Sequence, residues 1–470
     1  MKRYHKKDRE FKEFRRYLLR SRRRRKRAKS RKVFRKIFSR LKKSPINTKS
    51  TITRMIRKNI LMSNYKSKNI FILKGMKKVK SISILIGAGF SAPKGYPIGD
   101  NLNSNLLNLT TDLISFSPDG SLAISTDGTK PDFGGKTSYD IQFEFCLELI
   151  NHFNKKKGKF DYEEFYDYLL DEAINDKEAE AIAEPYLENS EFSQLVYGLK
   201  NIFNQLVSYH IKDNEGNKWH DNQPFLMGNT YDGYTGILRY LKTIEKDTIV
   251  NIYTLNHDLF FESLNNTEFF SGEICDGFEE LGSPYFGVLE KEGRSYRCRL
   301  QRYTGNYNKK YRLYKLHGSL DYGVYSKSER GLFIPDNYIK TRYGIGFLHL
   351  FKEKMKSRKL VYEDCWINYH SDFLTGTTSK IDRYEEPLLY KKLFEIFRAN
   401  LRAAEKLIII GYGAKDLKIN EMIFENFDFN KKKSFIIDPF PNEVLNGFAE
   451  KLKAKLINKQ LEVIVNEDLE

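Results

Sequence analysis

Cysteine is scarce in this chain and never paired in pattern. Cys146, Cys275, Cys298 and Cys365 are scattered through 470 residues with no C-x-x-C among them, which argues against a disulfide framework and against a zinc knuckle and points to a reducing cytosol. Long apolar runs are missing too: none approaches the roughly 18 residues that a membrane span needs. The N-terminus begins with cationic residues but lacks the apolar segment that would follow in a secretory signal. Acidic residues are almost absent from the first eighty positions, where Asp8, Glu10 and Glu13 face 33 lysines and arginines, a balance of +30. The remaining 390 residues carry 48 basic and 58 acidic groups, a balance of −10. The overall +20 therefore joins two unlike parts, a basic appendage and a mildly acidic body.

With 40% hydrophobic and 14% aromatic residues, the body is long and apolar enough for one large or two ordinary globular domains. Residues 1–77 read as a basic arm, helical or disordered. Its centre is RSRRRRKRAKSRK at 20–32, with Val33, Phe34, Ile37, Phe38 and Leu41 following at helical spacing. Such an arm is either a solvated, self-repelling tail, or it neutralises the phosphates of nucleic acid or an anionic membrane surface. Residues 78–470 begin with the apolar strand SISILIG. A loop or hairpin is expected over 115–135, from its Pro, Gly and Asp content, and a helical insertion over about 141–235. Strand signals return in DTIVNIYTLNHD (247–258), RLYKLHGSLDYGVY (312–325), KLIIIGYGAKD (406–416) and KSFIIDPF (433–440), with helical stretches between several of them. The pattern predicts an α/β fold: a Rossmann-like, doubly wound, mostly parallel sheet with a helical insertion and a basic N-terminal arm.

In open α/β sheets ligands sit beyond the carboxyl ends of the strands, so the residues that close each apolar run carry the functional information. The first run ends in Gly87-Ala88-Gly89-Phe90-Ser91-Ala92, which fits G-x-G-x-x-G/A. That pattern suits close approach of backbone N–H groups to a pyrophosphate, and equally suits a tight strand-to-helix turn. An acidic ribose ligand at the end of a second strand, where a dehydrogenase would carry one, is missing. The second run ends in Thr254-Leu255-Asn256-His257-Asp258 and the third in Lys315-Leu316-His317-Gly318-Ser319. Asn and Asp cap helices readily, and a histidine beside glycine is often a turn residue. Three polar clusters closing three strands of one sheet nevertheless point to a common site.

Taken together, GAGFSAPKGYP resembles the sirtuin G-A-G-x-S-x-x-x-G-x-P loop, TLNHD resembles the T-Q-N-I-D segment and LHGS the histidine-glycine motif, in the same chain order. The later LIIIGYGAKDLKIN and FIIDP look more like sirtuin-like proteins of bacterial anti-phage defence than like sirtuin deacylases. The resemblance covers roughly 78–460 and leaves out the arm and the insertion. It implies that Gly87, Ala88, Gly89 and Ser91 hold the pyrophosphate of NAD+, that Thr254 belongs to the cofactor site, that Asn256 lies near the nicotinamide ribose, and that Asp258 recognises the carboxamide. His317 would be the catalytic histidine. Gly411 and Asp416 would face the adenosine half, and Asp438 the adenine or its ribose. His257 replaces the isoleucine of the family, and the paired cysteines of the sirtuin zinc module have no counterpart, so no metal is expected and water becomes the acceptor.

The resulting expectation is an NAD+ glycohydrolase releasing nicotinamide and ADP-ribose, with Asn256 and His317 catalytic, acting as an anti-phage effector by NAD+ depletion. The alternatives are an NAD-dependent deacylase or ADP-ribosyltransferase, and a nucleotide-sensing or nucleic-acid-binding subunit without turnover. Because a cell cannot tolerate such a hydrolase permanently switched on, restraint is expected from a homo-oligomer or from a partner such as an ATPase, with residues 1–60 as a nucleic-acid sensor or docking segment.

Overall fold

The computed structural model describes residues 80–470, apart from 126–127, 188–190, 213–230, 330–331, 342–344, 346–349, 357–358, 364 and 368–370. The basic arm and its expected contacts lie outside the described residues. The chain divides after Lys78, and the described part follows that division.

Runs of Ile, Leu and Val such as SISILI and KLIII suit strands covered on both faces, because β-branched side chains pack well on a pleated surface. Seven such strands form one sheet: β1 (Ser81–Ile86), β2 (Ile249–Thr254), β3 (Ile274–Cys275), β4 (Tyr311–Lys315), β5 (Lys406–Ile410), β6 (Lys433–Ile437) and β7 (Lys455–Ile457). Their order is β7-β6-β5-β1-β2-β4-β3, and every adjacent pair is parallel. The chain builds outward from β1 to one side, then returns to build the other side from β5. The switch point between β1 and β5 is where an open sheet of this kind leaves a crevice. Register aligns the strand ends: Ile86 lies beside Thr254 and Ile410, and Thr254 beside Lys315. The clusters closing these strands therefore emerge at one level.

Alternation of side chains along each strand feeds two cores. Leu85, Leu407, Ile409 and Ile436 pack with Leu393, Phe397, Ile419, Ile423 and Leu445. These last come from α5 (Tyr390–Ala403), α6 (Leu417–Asn426) and α7 (Glu443–Leu452). Ile84, Ile86, Ile252 and Ile408 face the opposite way, against Ile237, Leu238 and Leu241 of α4 (Thr235–Thr243).

A second group of helices, over much of the range expected for the insertion, has a core of its own. Its core joins Phe143, Phe153, Phe165, Leu199 and Phe203, carried by α2 (Ser138–Lys157), the short helix Tyr162–Asp167 and α3 (Phe192–Lys212). Thr137 and Asp140 start α2 with a reciprocal capping box, and Gly158 ends it in the left-handed region. Leu102 and Leu106 of α1 (Gly99–Leu107) and the hairpin of Ile114–Phe116 with Leu122–Ile124 share this core. The insertion thus gathers elements well before residue 141. At its other end α4, which starts where the expected range stops, belongs to the central sheet because its apolar face meets Ile84 and Ile252.

A β-rich layer was not foreseen. One antiparallel sheet contains Gly277–Glu279, Gln301–Asn306, Tyr322–Glu329, Leu332–Lys340 and Cys365–Ile367; a second contains Tyr285–Lys291, Arg294–Arg299, Leu350–Lys356 and Lys359–Glu363. The stretch read as one strand signal over 312–325 is split between layers. β4 ends at Lys315, the chain turns through Gly318 at φ +84°, and Tyr322 opens a strand of the five-stranded sheet.

Candidate functional site

The glycine loop is shaped first by its neighbour. A Cβ at Gly87 would stand 2.6 Å from the carbonyl oxygen of Gly411, one at Gly89 would stand 2.9 Å from the Gly411 Cα, and one at Gly411 would stand 2.4 Å from the Phe90 nitrogen. Gly411 also adopts φ +58°, a conformation that costs a non-glycine residue. The loops after β1 and β5 thus touch backbone to backbone at the switch point. Gly87 N–H donates to Ile410 O at 3.0 Å and Gly89 N–H to Gly411 O at 2.9 Å. Those two donors are spent within the protein, so the steric explanation of the glycines holds in this structure. Ala88 and Gly89 themselves are exposed at the carboxyl end of the sheet.

Asn256 joins the second cluster to this loop. Its Nδ2 donates to Gly87 O and to Ser91 Oγ, each at 3.0 Å, and its own N–H donates to Thr254 Oγ1 at 3.0 Å. With both amide hydrogens committed, the side-chain carbonyl is what Asn256 can offer to another molecule. The Ser91 hydroxyl also hydrogen bonds Asp258. Asp258 Oδ1 accepts from Phe260 N–H, at the start of the short helix Phe260–Ser263, at 3.0 Å. Burial, partly offset by Lys315, raises the Asp258 carboxyl above the usual carboxylate range.

The third cluster closes the group. His257 and His317 have ring centroids 6.3 Å apart, and Phe373 covers His257 at 4.7 Å. Nε2 of His317 lies 3.5 Å from Asp416 Oδ2 and 3.4 Å from the Tyr384 hydroxyl. Burial first, and then the positive charge of Lys380, push the His317 imidazole below its ordinary range, with Asp416 opposing. Burial and the neighbouring His317, Lys315 and Lys380 do the same to His257. Both imidazoles are held neutral at pH 7.

Of the expected site residues, Gly87, Gly89, Ser91, Thr254, Asn256, Asp258 and Gly411 are joined by the contacts above, with Ala88 exposed in the same loop. His317 closes β4 beside the His257 ring, and its Nε2 faces Asp416 and Tyr384. Asp416, expected at the adenosine half, turns inward: Oδ1 caps α6 through the N–H groups of Lys418 and Ile419, both at 3.1 Å, while Oδ2 faces His317 and Lys380. Asp438 is half-buried after β6 and accepts from Phe440 N–H at 2.8 Å, which turns the chain beside the exposed Phe440 ring.

Several residues in the cluster carried little signal in sequence. Lys315, 1% exposed, donates to the Asp258 carbonyl and pairs with Glu262 at 3.1 Å; its place two residues before His317 was the available clue. Lys380, Tyr384 and Phe373 come from a segment that reads as an ordinary polar loop and short helix. Among the described residues, three ligand-type groups that could share a metal ion are His152, Asp176 and Glu178, away from this cluster on the helical insertion.

No family model matches the chain, and no curated protein matches it. Solved structures of Sir2 homologues overlap with it. A Sir2 homologue in complex with NAD is 12% identical over 83% of this chain and 88% of its own, with a TM-score of 0.34. A Sir2 homologue mutant in complex with ADP ribose is 12% identical over 84% of this chain and 93% of its own, at 0.33. Another mutant, in complex with 2'-O-acetyl ADP ribose, is 11% identical over 85% and 94%, at 0.32. Overlap this partial adds nothing to the parallel strand order and the site geometry, which rest on the chain's own residues.

Proposed function

We propose that this site binds NAD+ and hydrolyses it to nicotinamide and ADP-ribose. The observation that carries the reading is the convergence of the glycine loop, Asn256 and His317 at the carboxyl ends of three neighbouring parallel strands, with Asn256 tied to Gly87 and Ser91 at 3.0 Å.

Nicotinamide in NAD+ leaves from a ribosyl carbon whose transition state resembles an oxocarbenium ion. The electron pair of the breaking C–N bond stays on the leaving ring and cancels its positive charge, so no acid is needed there. The oxygen of water bonds to the ribosyl carbon, and its proton must be accepted. A neutral imidazole is suited to accept it, and such general-base help is worth about 10²–10⁴-fold. The Asn256 carbonyl can accept from a ribose hydroxyl or from the attacking water, and its committed amide hydrogens fix that carbonyl in place.

The resemblance of the later motifs to anti-phage defence proteins supports a role in depleting NAD+ during infection. An activity of that kind needs restraint, and a homo-oligomer or a partner ATPase would supply it, with residues 1–60 as the segment to delete when looking for nucleic-acid sensing. No described helix is long and apolar enough to cross a membrane. The deciding experiment incubates purified full-length protein with NAD+, with and without an acylated peptide, and follows nicotinamide and ADP-ribose. Peptide-independent release supports hydrolysis, whereas release that requires the peptide would replace it with deacylation.

A further inference from the structure

A row of alternating charges runs from the helical insertion to His317. Glu163, on the short helix Tyr162–Asp167, holds Lys380 Nζ at 3.1 and 3.2 Å. Lys380 Nζ lies 3.2 Å from Asp416 Oδ2, and the same oxygen lies 3.5 Å from His317 Nε2. Lys380, Asp416 and His317 are each less than a tenth exposed at the side chain. A buried lysine between two carboxylates, one of them against an imidazole, is costly to assemble unless each charge is matched by the next.

The segment carrying Lys380 is held by the same insertion. The Asp167 carboxylate accepts from Thr377 N–H (2.8 Å), Thr377 Oγ1 (2.6 Å), Thr378 N–H (2.8 Å), Thr378 Oγ1 (3.0 Å) and Ser379 N–H (3.1 Å). Burial opposes ionisation of Asp167, yet these hydrogen bonds bring its carboxyl down to about 2. Directly after Asp167 the helix widens into a π-helical turn, Tyr168–Glu172, a geometry frequent at functional sites. Lys380 is therefore placed by a bracket on the insertion, not by its own five-residue helix.

We propose that Asp416 and Lys380 are positioning residues for His317, and that Glu163 and Asp167 make their setting depend on the helical insertion. A carboxylate facing Nε2 favours the tautomer with its hydrogen on that nitrogen, which leaves Nδ1 as the acceptor. Lys380 draws on the same carboxylate oxygen and limits how far Asp416 can stabilise an imidazolium. Moving the insertion relative to residues 377–380 would change both effects without touching the glycine loop. The groups facing His317 are Asp416 from the N-terminal cap of α6, Lys380 and Tyr384 from the segment before α5, and His257 from the loop after β2, with Lys315 of β4 and Glu163 of the insertion one step behind. Among them the ionised neighbours are matched in pairs, Lys380 with Glu163 and Asp416, and Lys315 with Glu262.

This inference rests on the hydrolase reading only for its kinetic consequence, so its test has a readout that does not need turnover. Full-length protein labelled with ¹⁵N-histidine, with His317→Gln used for assignment, reports tautomer and titration of His317 directly. The wild-type ring is expected as the Nε2–H form and uncharged at pH 6. Asp416→Asn keeps the helix cap and is expected to mix the tautomers, while Lys380→Met raises the titration midpoint by about one pH unit, a tenfold change in proton affinity. Glu163→Gln shifts the midpoint in the opposite direction to Lys380→Met, because a less anchored lysine charge acts on Asp416 alone. If nicotinamide release proves absent while these shifts appear, the positioning stands and the hydrolase reading falls. An unchanged tautomer in Asp416→Asn together with an unchanged midpoint in Lys380→Met overturns the inference.

Discussion

Replacing Gly411 by alanine tests whether the two loops at the switch point depend on contact between bare backbones. The new methyl would meet Phe90 N at 2.4 Å and Gly89 C at 2.5 Å, inside any real Cβ contact, and would sit on a residue at φ +58°. The left-handed conformation costs alanine about 1–2 kcal/mol. Forcing apart two packed segments adds about 1–3 kcal/mol, for a loss of about 2–5 kcal/mol. The displaced atoms include the chain next to Gly87 O, the acceptor for Asn256 Nδ2 at 3.0 Å, and misplacement by an ångström can cost about 10²-fold in rate. Gly413, two residues on, has negative or extended backbone geometry and open space around its Cβ direction. Gly413→Ala is thus the control in the same loop. Urea unfolding followed by circular dichroism, run beside a nicotinamide assay, should show Gly411→Ala impaired in both and Gly413→Ala close to wild type in stability. Equal stability of the two variants would refute the backbone-contact explanation of these glycines.

Asn256→Asp places a second acceptor against Gly87 O and is expected to lose nicotinamide release at least as completely as Asn256→Ala, measured by chromatography of the products. Lys315→Met strands Glu262 as a buried, unpaired carboxylate and should destabilise the fold by about 3–5 kcal/mol in the same unfolding assay; a change below 1 kcal/mol would mean that Glu262 reaches water. Since burial and Lys380 lower the His317 affinity for protons, the base stays available on acidification. Nicotinamide release should therefore hold level from pH 8 through pH 6, and an acid limb with a midpoint at the ordinary histidine value would contradict the neutral, buried imidazole. Arg383→Met removes the cation that holds the buried Asp372 carboxylate at 2.9 and 3.0 Å, leaving it only the Tyr338 and Tyr390 hydroxyls among its side-chain donors, and should lower the melting temperature more than the exposed Lys418→Met does.

The central sheet was legible because its strands are continuous apolar runs, and because residues closing β1, β2 and β4 are polar in a way that packing alone does not require. The strand order could not be read from those runs; it depends on which helix crosses which face. The antiparallel layers escaped because strands such as Arg294–Arg299 are exposed on both sides and so lack the alternation that marks a half-buried strand. In the candidate site, Asn256 and His317 stood out in sequence because each is a polar residue closing an apolar run. For Asp416 the loop sequence does not tell which way a capping carboxylate turns its second oxygen, and its place beside His317 and Lys380 was not read from it. Glu163, Asp167 and Lys380 carry no sequence signal of their contacts, because only tertiary packing brings Glu163 to Lys380 and Asp167 to residues 377–379.

Nicotinamide release from NAD+ by purified wild-type protein, beside Asn256→Ala and His317→Ala shown to be folded, is the most direct test of the central claim. Release by the wild type that falls at least a hundredfold in each variant is the predicted result. Equal release by all three proteins, or none by any of them, would contradict a hydrolytic site built on these two side chains.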